Sequence, residues 1–301
     1  DLYRQQRRGG RGVQGATLKQ DDIVEHFFVT TTHHWILFFT NKGRVYRAKA
    51  HELPEALRSA RGQHVANILA FQPDEKIAQV LDIKDYAVAP YLVLATRQGL
   101  VKKTPLAEFD SNRSGGLIAV NLRDDDELIG VELTSGEDDL LLVSKQAQSI
   151  RFAETDCRPM GRATSGVIGM RLNTGDEVLA MGKVRADADV LVATDGGFAK
   201  RTKIEEYPLQ NRGGKGVLTA KIVAKRGSLV GALIVRPDED LFAITSAGVV
   251  IRTSAKTLRR SQRSTMGVKL INLDAGTSVV AIARDVEDAD DDSAPNDRTT
   301  A

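Results

Sequence analysis

Glycine returns at a near-fixed interval along this chain, at Gly12, Gly62, Gly116, Gly166, Gly216 and Gly267, spaced 50, 54, 50, 50 and 51 residues apart. Six positions after each stands an aliphatic side chain: Leu18, Ile68, Leu122, Leu172, Ile222 and Leu273. A period of this length fits a four-stranded propeller blade better than any helical repeat. A second unit recurs in step with the first, in residues 36–43 (ILFFTNKG), 92–99 (LVLATRQG), 140–147 (LLLVSKQA), 190–197 (VLVATDGG) and 241–248 (LFAITSAG). Each is a short run of branched apolar residues broken by a tight turn, which is the signal of a β-hairpin. The turn residues Thr40, Thr96, Ser144, Thr194 and Thr245 precede a unit glycine by 20 to 22 residues, so both units are assigned to one blade. Six glycine units predict six blades, with Ile68, Leu122, Leu172, Ile222 and Leu273 at equivalent buried strand positions. The sequence starts only eleven residues before Gly12, so the first blade is expected to be incomplete on its N-terminal side. Helical periodicity is nearly absent; Glu52 to Arg61 is the one stretch suited to a helical turn. The chain reads as all-β.

Charge becomes informative once it is located. From Asp285 to Ala301 there are seven acids and one base, which leaves 41 basic and 33 acidic side chains in residues 1–284, a net of +8. The predicted organisation is therefore a moderately basic folded region, 1–284, and an acidic tail, 285–301, too poor in apolar residues to order itself. Such a tail has two readings, a brake that competes with a polyanion for the basic region and a merely solubilising terminus. Cys157 is the single cysteine, so no intrachain disulfide forms and the usual zinc spacings are missing. No apolar run approaches 18 residues and no secretory leader is visible, so a soluble, cytoplasmic chain without a membrane role is expected.

Two cation positions repeat with the blades. The residue seven after each turn Thr/Ser is Arg47, Lys103, Arg151, Arg201 or Arg252. The residue four before each unit glycine is Arg8, Arg58, Asn112, Arg162, Arg212 or Arg263, and Arg113 adjoins the exception. A propeller core requires only alternating apolar residues, so periodic cations ask for another cause. Placed at equivalent points on successive blades they form a band suited to a long, curved polyanion, with salt-dependent binding. Ion pairing between blades is the competing reading.

One repeat is richer than the rest. Gln6, Arg7, Arg8, Gly9, Gly10, Arg11 and Gly12 combine three guanidinium forks with glycines that allow backbone amides to approach a phosphate. This heptad resembles the gyrase A box, the hallmark of the C-terminal domain of bacterial DNA gyrase A, at every position. The similarity runs over nearly the whole chain, including residues 43–46, 127–131, 133–138 and 200–202. It implies a six-bladed β-pinwheel whose blades exchange strands and which wraps duplex DNA with positive handedness. It also implies the remainder of gyrase A, together with gyrase B, as partners, in an A2B2 enzyme whose ATP-driven strand passage introduces negative supercoils near the nucleoid. The domain itself is expected to be monomeric, non-catalytic and without a cofactor. Gln210, Asn211, Arg212, Gly213, Gly214, Lys215 and Gly216 resemble a second box, off pattern only at Asn211; Leu209 and Gly216 stand where a nucleotide-binding P-loop needs glycine and Ser/Thr. Arg61 joins the expected DNA contacts.

Other chemistry finds little support. His33 and His34 are adjacent and would point to opposite faces of a strand, and residues 124–127 (DDDE) lack the spacing of a calcium loop. Tyr3, Tyr46, Tyr86, Tyr91 and Tyr207 are candidates for a DNA-cleaving tyrosine, a residue the resemblance places in another domain of gyrase A. Trp35 reads as a strand anchor. The alternatives are the related C-terminal domain of topoisomerase IV, in which the box is degraded or absent, and a protein-binding propeller, which has no need of periodic cations.

Overall fold

The structure, a computed structural model, describes residues 30–57 and 60–285 and the backbone of 13–14. The box Gln6–Gly12, Leu18, Tyr3, Arg58 and the tail beyond Asp285 lie outside the described residues.

Why Thr/Ser-x-x-Gly makes a hairpin is visible in its hydrogen bonds. The carbonyl of Thr40, Thr96, Ser144, Thr194 or Thr245 accepts the amide three residues on, at 2.9–3.1 Å. Its hydroxyl accepts the amide four residues on, at 3.1–3.4 Å. The third loop residue then takes positive φ, as Gly43, Gly99, Ala147, Gly197 and Gly248 do, the expected form of a three-residue hairpin loop.

These hairpins nucleate five antiparallel four-stranded sheets among the described residues. Blade 2 contains Trp35–Thr40, Arg44–Lys49, Ile77–Ile83 and Leu117–Ile118; blade 3 contains Tyr91–Thr96, Leu100–Pro105, Leu128–Thr134 and Val167–Ile168. Blade 4 contains Asp139–Ser144, Gln148–Ala153, Val178–Lys183 and Val217–Leu218, and blade 5 contains Asp189–Thr194, Phe198–Lys203, Leu229–Val235 and Val268–Lys269. Blade 6 joins Asp240–Thr245, Val249–Ser254 and Val279–Arg284 to Val13–Gln14, so the chain's start completes its last sheet. The sheet that the Gly62 unit would complete falls outside the described residues.

This connectivity corrects the assignment of both units to one blade. The strand after Gly116, Gly166, Gly216 or Gly267 leaves its own repeat and becomes the fourth strand of the preceding blade, as in Gln148↔Leu218 and Ser149↔Val217. The long third strands contact one another from blade to blade, which places them innermost and the two-residue exchanged strands at the perimeter.

The aliphatic residues six after each glycine also stand differently from expectation. Ile68, Leu122, Leu172 and Leu273 are only half-buried, Ile222 is exposed, and none lies in a strand. The chain turns inward earlier, because two successive amides converge on one hairpin carbonyl: Ala119 and Val120 on Gly43, Gly169 and Met170 on Gly99, Leu270 and Ile271 on Gly197. Leu122, Leu172 and Leu273 then lie beside those turn glycines and pack against the core.

The core lies between blades. Along Asp189–Thr194, Val190 and Val192 pack toward blade 4 while Leu191 and Ala193 pack toward blade 6, the period-2 pattern of a strand covered on both faces. Among the described residues seven single-turn 3-10 segments accompany the strands, five of them directly after a hairpin. Only Ala50–Glu52 touches the predicted helical stretch; one turn is too short to leave a 3.6-residue pattern.

From Gly116 onward the unit glycine itself is obligatory, whereas a Cβ at Gly62 would meet nothing. Gly166 has φ +88°, and a Cβ there would stand 2.4 Å from the carbonyl oxygen of Val101; at Gly216 (φ +78°) the corresponding distance to Ser149 is 2.0 Å. Gly166→Ala is expected to destabilise the chain by about 2–4 kcal/mol, from left-handed strain together with displacement of the exchanged strand. Urea unfolding measures it.

Candidate nucleic-acid interface

The cations seven after the turn residue are not at the perimeter. Each lies diagonally across the hairpin from the residue that opens its first strand, two positions off the directly paired one. In three blades that residue is an acid: Arg151 pairs with Asp139 at 2.7 Å, Arg201 with Asp189 at 3.1 Å and Arg252 with Asp240 at 3.0 Å. In the other two it is aromatic: Arg47 stands 4.3 Å from the Trp35 ring centroid and Lys103 5.1 Å from that of Tyr91. Further partners complete their neutralisation: Asp110 and the Tyr86 hydroxyl for Arg47, Glu154 for Lys103 and Asp285 for Arg252. Arg47, Lys103, Arg151, Arg201 and Arg252, expected as polyanion contacts, thus have acidic partners within the fold. These charges are consumed inside the fold, as a desolvated cation requires. Asp285, assigned to the tail, belongs structurally to this network.

The arginines four before the unit glycine behave oppositely. Arg162, Arg212 and Arg263 each donate to the carbonyl of an exchanged outer strand, respectively at Ile118 (3.2 Å), Ile168 (2.5 Å) and Leu218 (2.8 Å). Their backbone amides are held by carboxylates of the short turns, Glu108, Asp156 and Glu206. Three guanidinium groups thus stand at equivalent points of the outer edge, each oriented by a carbonyl that carries no full charge to neutralise it. Arg61, Arg113 and Lys215 are exposed on their own loops, and Asn112, also exposed, accepts from Arg47.

The second box follows the same loop path. The amide of Gln210 bonds the Arg151 carbonyl at 2.8 Å, as Met160 bonds Lys103 and Ser261 bonds Arg201. Gly213, at φ +82°, gives its amide to the Gly169 carbonyl, and Gly214 offers its own carbonyl to Arg171. In the neighbouring loops Thr164 and Thr265 serve as that acceptor, toward Asn121 and Lys221. Glycine at this point therefore strips a side chain from the rim beside Arg212 and Lys215 without altering the main-chain bonds.

Sequence reasoning passed over Lys102 and Lys200, one residue before Lys103 and Arg201. Both are buried, and desolvation pushes each amine down to about 8, with Glu108 and Glu206 opposing. The unfolded chain keeps these protons to about pH 10.5, so above pH 8 it binds more protons than the fold and stability rises with pH. Buried Cys157, raised to about 11 by desolvation, opposes this above pH 9. Urea unfolding between pH 8 and 9 is expected to show an upward slope that Lys102→Met with Lys200→Met flattens. The signal that could have found these residues is the alternation at that position: Tyr46, Lys102, Ile150, Lys200, Ile251.

The remaining candidates sit in structural roles. Tyr46 donates to Glu75 and Tyr207 bonds Thr219, both buried, and His34 pairs with Asp82. Trp35 anchors Arg47 and Lys49. Among the described residues no group of three or more His, Cys, Asp or Glu could hold a metal, and no helix is long and apolar enough to cross a membrane.

Small antiparallel sheets arrayed in sequence, with outer strands exchanged between neighbours and arginines along the outer edge, define a β-pinwheel, a propeller-like class. The chain belongs to the DNA gyrase C-terminal domain, beta-propeller family, whose model matches six successive segments, residues 1–31, 34–84, 90–135, 138–185, 188–236 and 239–284. DNA gyrase A from Mycolicibacterium smegmatis is 66% identical over 98% of this chain and 35% of its own length. The chain spans about a third or less of the curated relatives it matches. Among solved structures, a DNA gyrase A C-terminal domain is similar at a TM-score of 0.85 and 24% identity, over 95% of this chain and 94% of that one. The C-terminal domain of a DNA topoisomerase IV follows at 0.74 and 28%, over 84% and 79%.

Proposed function

We propose that this chain binds duplex DNA along its outer edge and wraps it with positive handedness, as the non-catalytic, cofactor-free module of a gyrase that supercoils DNA negatively at the expense of ATP. In that assembly it acts with the remainder of gyrase A and with gyrase B, as an A2B2 enzyme on the bacterial nucleoid. The observation that carries this reading is the repeated placement of Arg162, Arg212 and Arg263 on the carbonyls of successive outer strands. Guanidinium groups fixed at a blade-to-blade interval contact phosphate without reading bases, and neutralising phosphates releases counterions. Arg58, Arg61, Arg113, Lys215 and the heptad Gln6–Gly12 extend the band.

Salt titration of random-sequence duplex binding tests the assignment. Each lost phosphate contact reduces the slope of log K against log salt by about 0.9, so Arg162→Ala, Arg212→Ala and Arg263→Ala together should flatten it by roughly 2–3. Arg151→Met, which removes an internal cation of equal charge, should leave the slope almost unchanged. Equal effects from both variants would mean that net charge, and not rim position, governs binding.

A further inference from the structure

We propose that Lys102 and Lys200 are positioning residues for the rim arginines, each gripping from inside the loop on which Arg162 or Arg263 stands. The inference rests on the DNA-wrapping reading and names how its contacts are held in place.

Lys102 and Lys200 are 1% and 2% exposed. The Lys200 ammonium donates to the carbonyls of Thr219 (2.9 Å) and Gln262 (2.7 Å) and to that of Arg263 itself, with Thr265 at 3.5 Å. Lys102 repeats the pattern with Ala119 and with Arg162 itself. In both cases one acceptor lies three residues after a unit glycine and the others lie in the arginine loop of the next repeat. The lysine therefore joins two successive segments of the perimeter. Its grip falls on the carbonyl of the very residue whose guanidinium reaches outward.

The fold does not demand a lysine here. Ile150 and Ile251 occupy the same position in blades 4 and 6, where they are fully buried. Burial disfavours the ammonium at both sites, so lysine is the costlier choice. It appears where the loop has a side chain at the alanine or serine after the arginine, Ala163 or Ser264. Where the loop is the glycine-rich Gln210–Gly216, the residue beneath is Ile150, whose Cδ1 would lie 3.3 Å from a Cβ at Gly214. There Arg212 is steadied from outside instead, by Nε on the Asp156 carbonyl at 3.2 Å together with its bond to Ile168.

A double-mutant cycle on the chain decides the matter, read as the linking-number change fixed when relaxed circles are incubated with it and topoisomerase I. Lys200→Met should lose at least half as much wrapping as Arg263→Ala, and the combination should lose no more than Arg263→Ala alone. Independent, additive losses would overturn the proposal, as would wild-type wrapping by Lys200→Met. Lys200→Ile, the residue blades 4 and 6 use, serves if the methionine variant melts early. Hydrogen exchange supplies a readout without DNA: amides of residues 262–266 should exchange at least tenfold faster in either variant, while those of 210–216 keep their wild-type rate. Unchanged exchange sinks the stapling; faster exchange with Arg263→Ala wrapping normally sinks the DNA reading at this point.

Discussion

Asp189→Ala is expected to unfold the chain more readily than any other single substitution of a polar side chain between the blades, at a cost of about 3–5 kcal/mol. Asp189 is fully buried and holds two cations: Arg201 at 3.1 Å, itself almost fully buried, and the half-exposed Arg260, whose Nε lies 3.1 Å from both carboxylate oxygens. Arg260 follows blade 6's hairpin whereas Asp189 and Arg201 belong to blade 5, so the carboxylate ties neighbouring repeats. Without it Arg201 keeps only the carbonyl of Leu258 as a hydrogen-bond acceptor. Burial already makes its guanidinium harder to keep charged, with Asp189 the main opposing influence. The equivalent Asp139→Ala should cost far less, about 1 kcal/mol, because Arg151 and Asp139 both keep about a fifth of their side chains in water. Thermal unfolding separates the two: a fall on the order of 10 °C for Asp189→Ala and a few degrees for Asp139→Ala. Asp189→Leu with Arg201→Met should recover much of the loss, since an apolar pair of similar volume leaves no buried charge. Equal, small losses at both aspartates would show that water reaches Arg201.

The pairing of Asp189 with Arg201 also shows what could be read in advance. Hairpins were legible because Thr194, Gly197 and their counterparts act locally: the side chain that closes each turn lies within four residues of the amide it accepts. The repeat length followed from the glycine period for the same reason, and five of the six expected blades stand among the described residues. The exchange of the outer strand was accessible only through family resemblance, since Val217 and Leu218 pair with Ser149 and Gln148, across some 70 residues, and no local pattern encodes that partner. The same distance hid the difference between the two cation series. Both recur with the blades, yet only the strand register shows that Arg201, paired with Leu191, reaches diagonally to Asp189 two residues before it, while Arg212 meets a carbonyl. A sharper reading was available: the position opening each hairpin is Trp35, Tyr91, Asp139, Asp189 or Asp240, always a partner for a cation. Ile68 and its equivalents were misplaced because period alone cannot distinguish a strand from a loop that turns inward two residues sooner.

Replacing Arg7, Arg8 and Arg11 by Ala should abolish the linking-number shift while leaving DNA bound. Bending 20–30 base pairs by 40–90° costs on the order of 1–6 kcal/mol, so a wrap closes only where several phosphates are held at both ends of each bend. The heptad Gln6–Gly12 has three cations; Gln210–Gly216 has two, Arg212 and Lys215. The strand that follows the second box, Val217–Leu218, completes the sheet of blade 4, and Val13–Gln14, next in sequence after the first box, completes that of blade 6, so two clamps set by these strands would hold the DNA at separated points. A single clamp fixes where the wrap begins; the pair fixes the path between. Arg212→Ala with Lys215→Ala should therefore shorten the wrap and reduce the shift without eliminating it. Milder substitutions in the first box, Arg7→Ala or Arg11→Ala singly, should combine with the second-box variant to more than the sum of the separate losses. Each clamp raises the local concentration of DNA at the other, and coupled sites are non-additive. The comparison requires four proteins at one salt concentration, with circular dichroism matching throughout. Wild-type wrapping by the Arg212→Ala, Lys215→Ala protein would reduce residues 210–216 to a glycine-rich turn, and strict additivity would mean that the two boxes grip DNA without sharing a path.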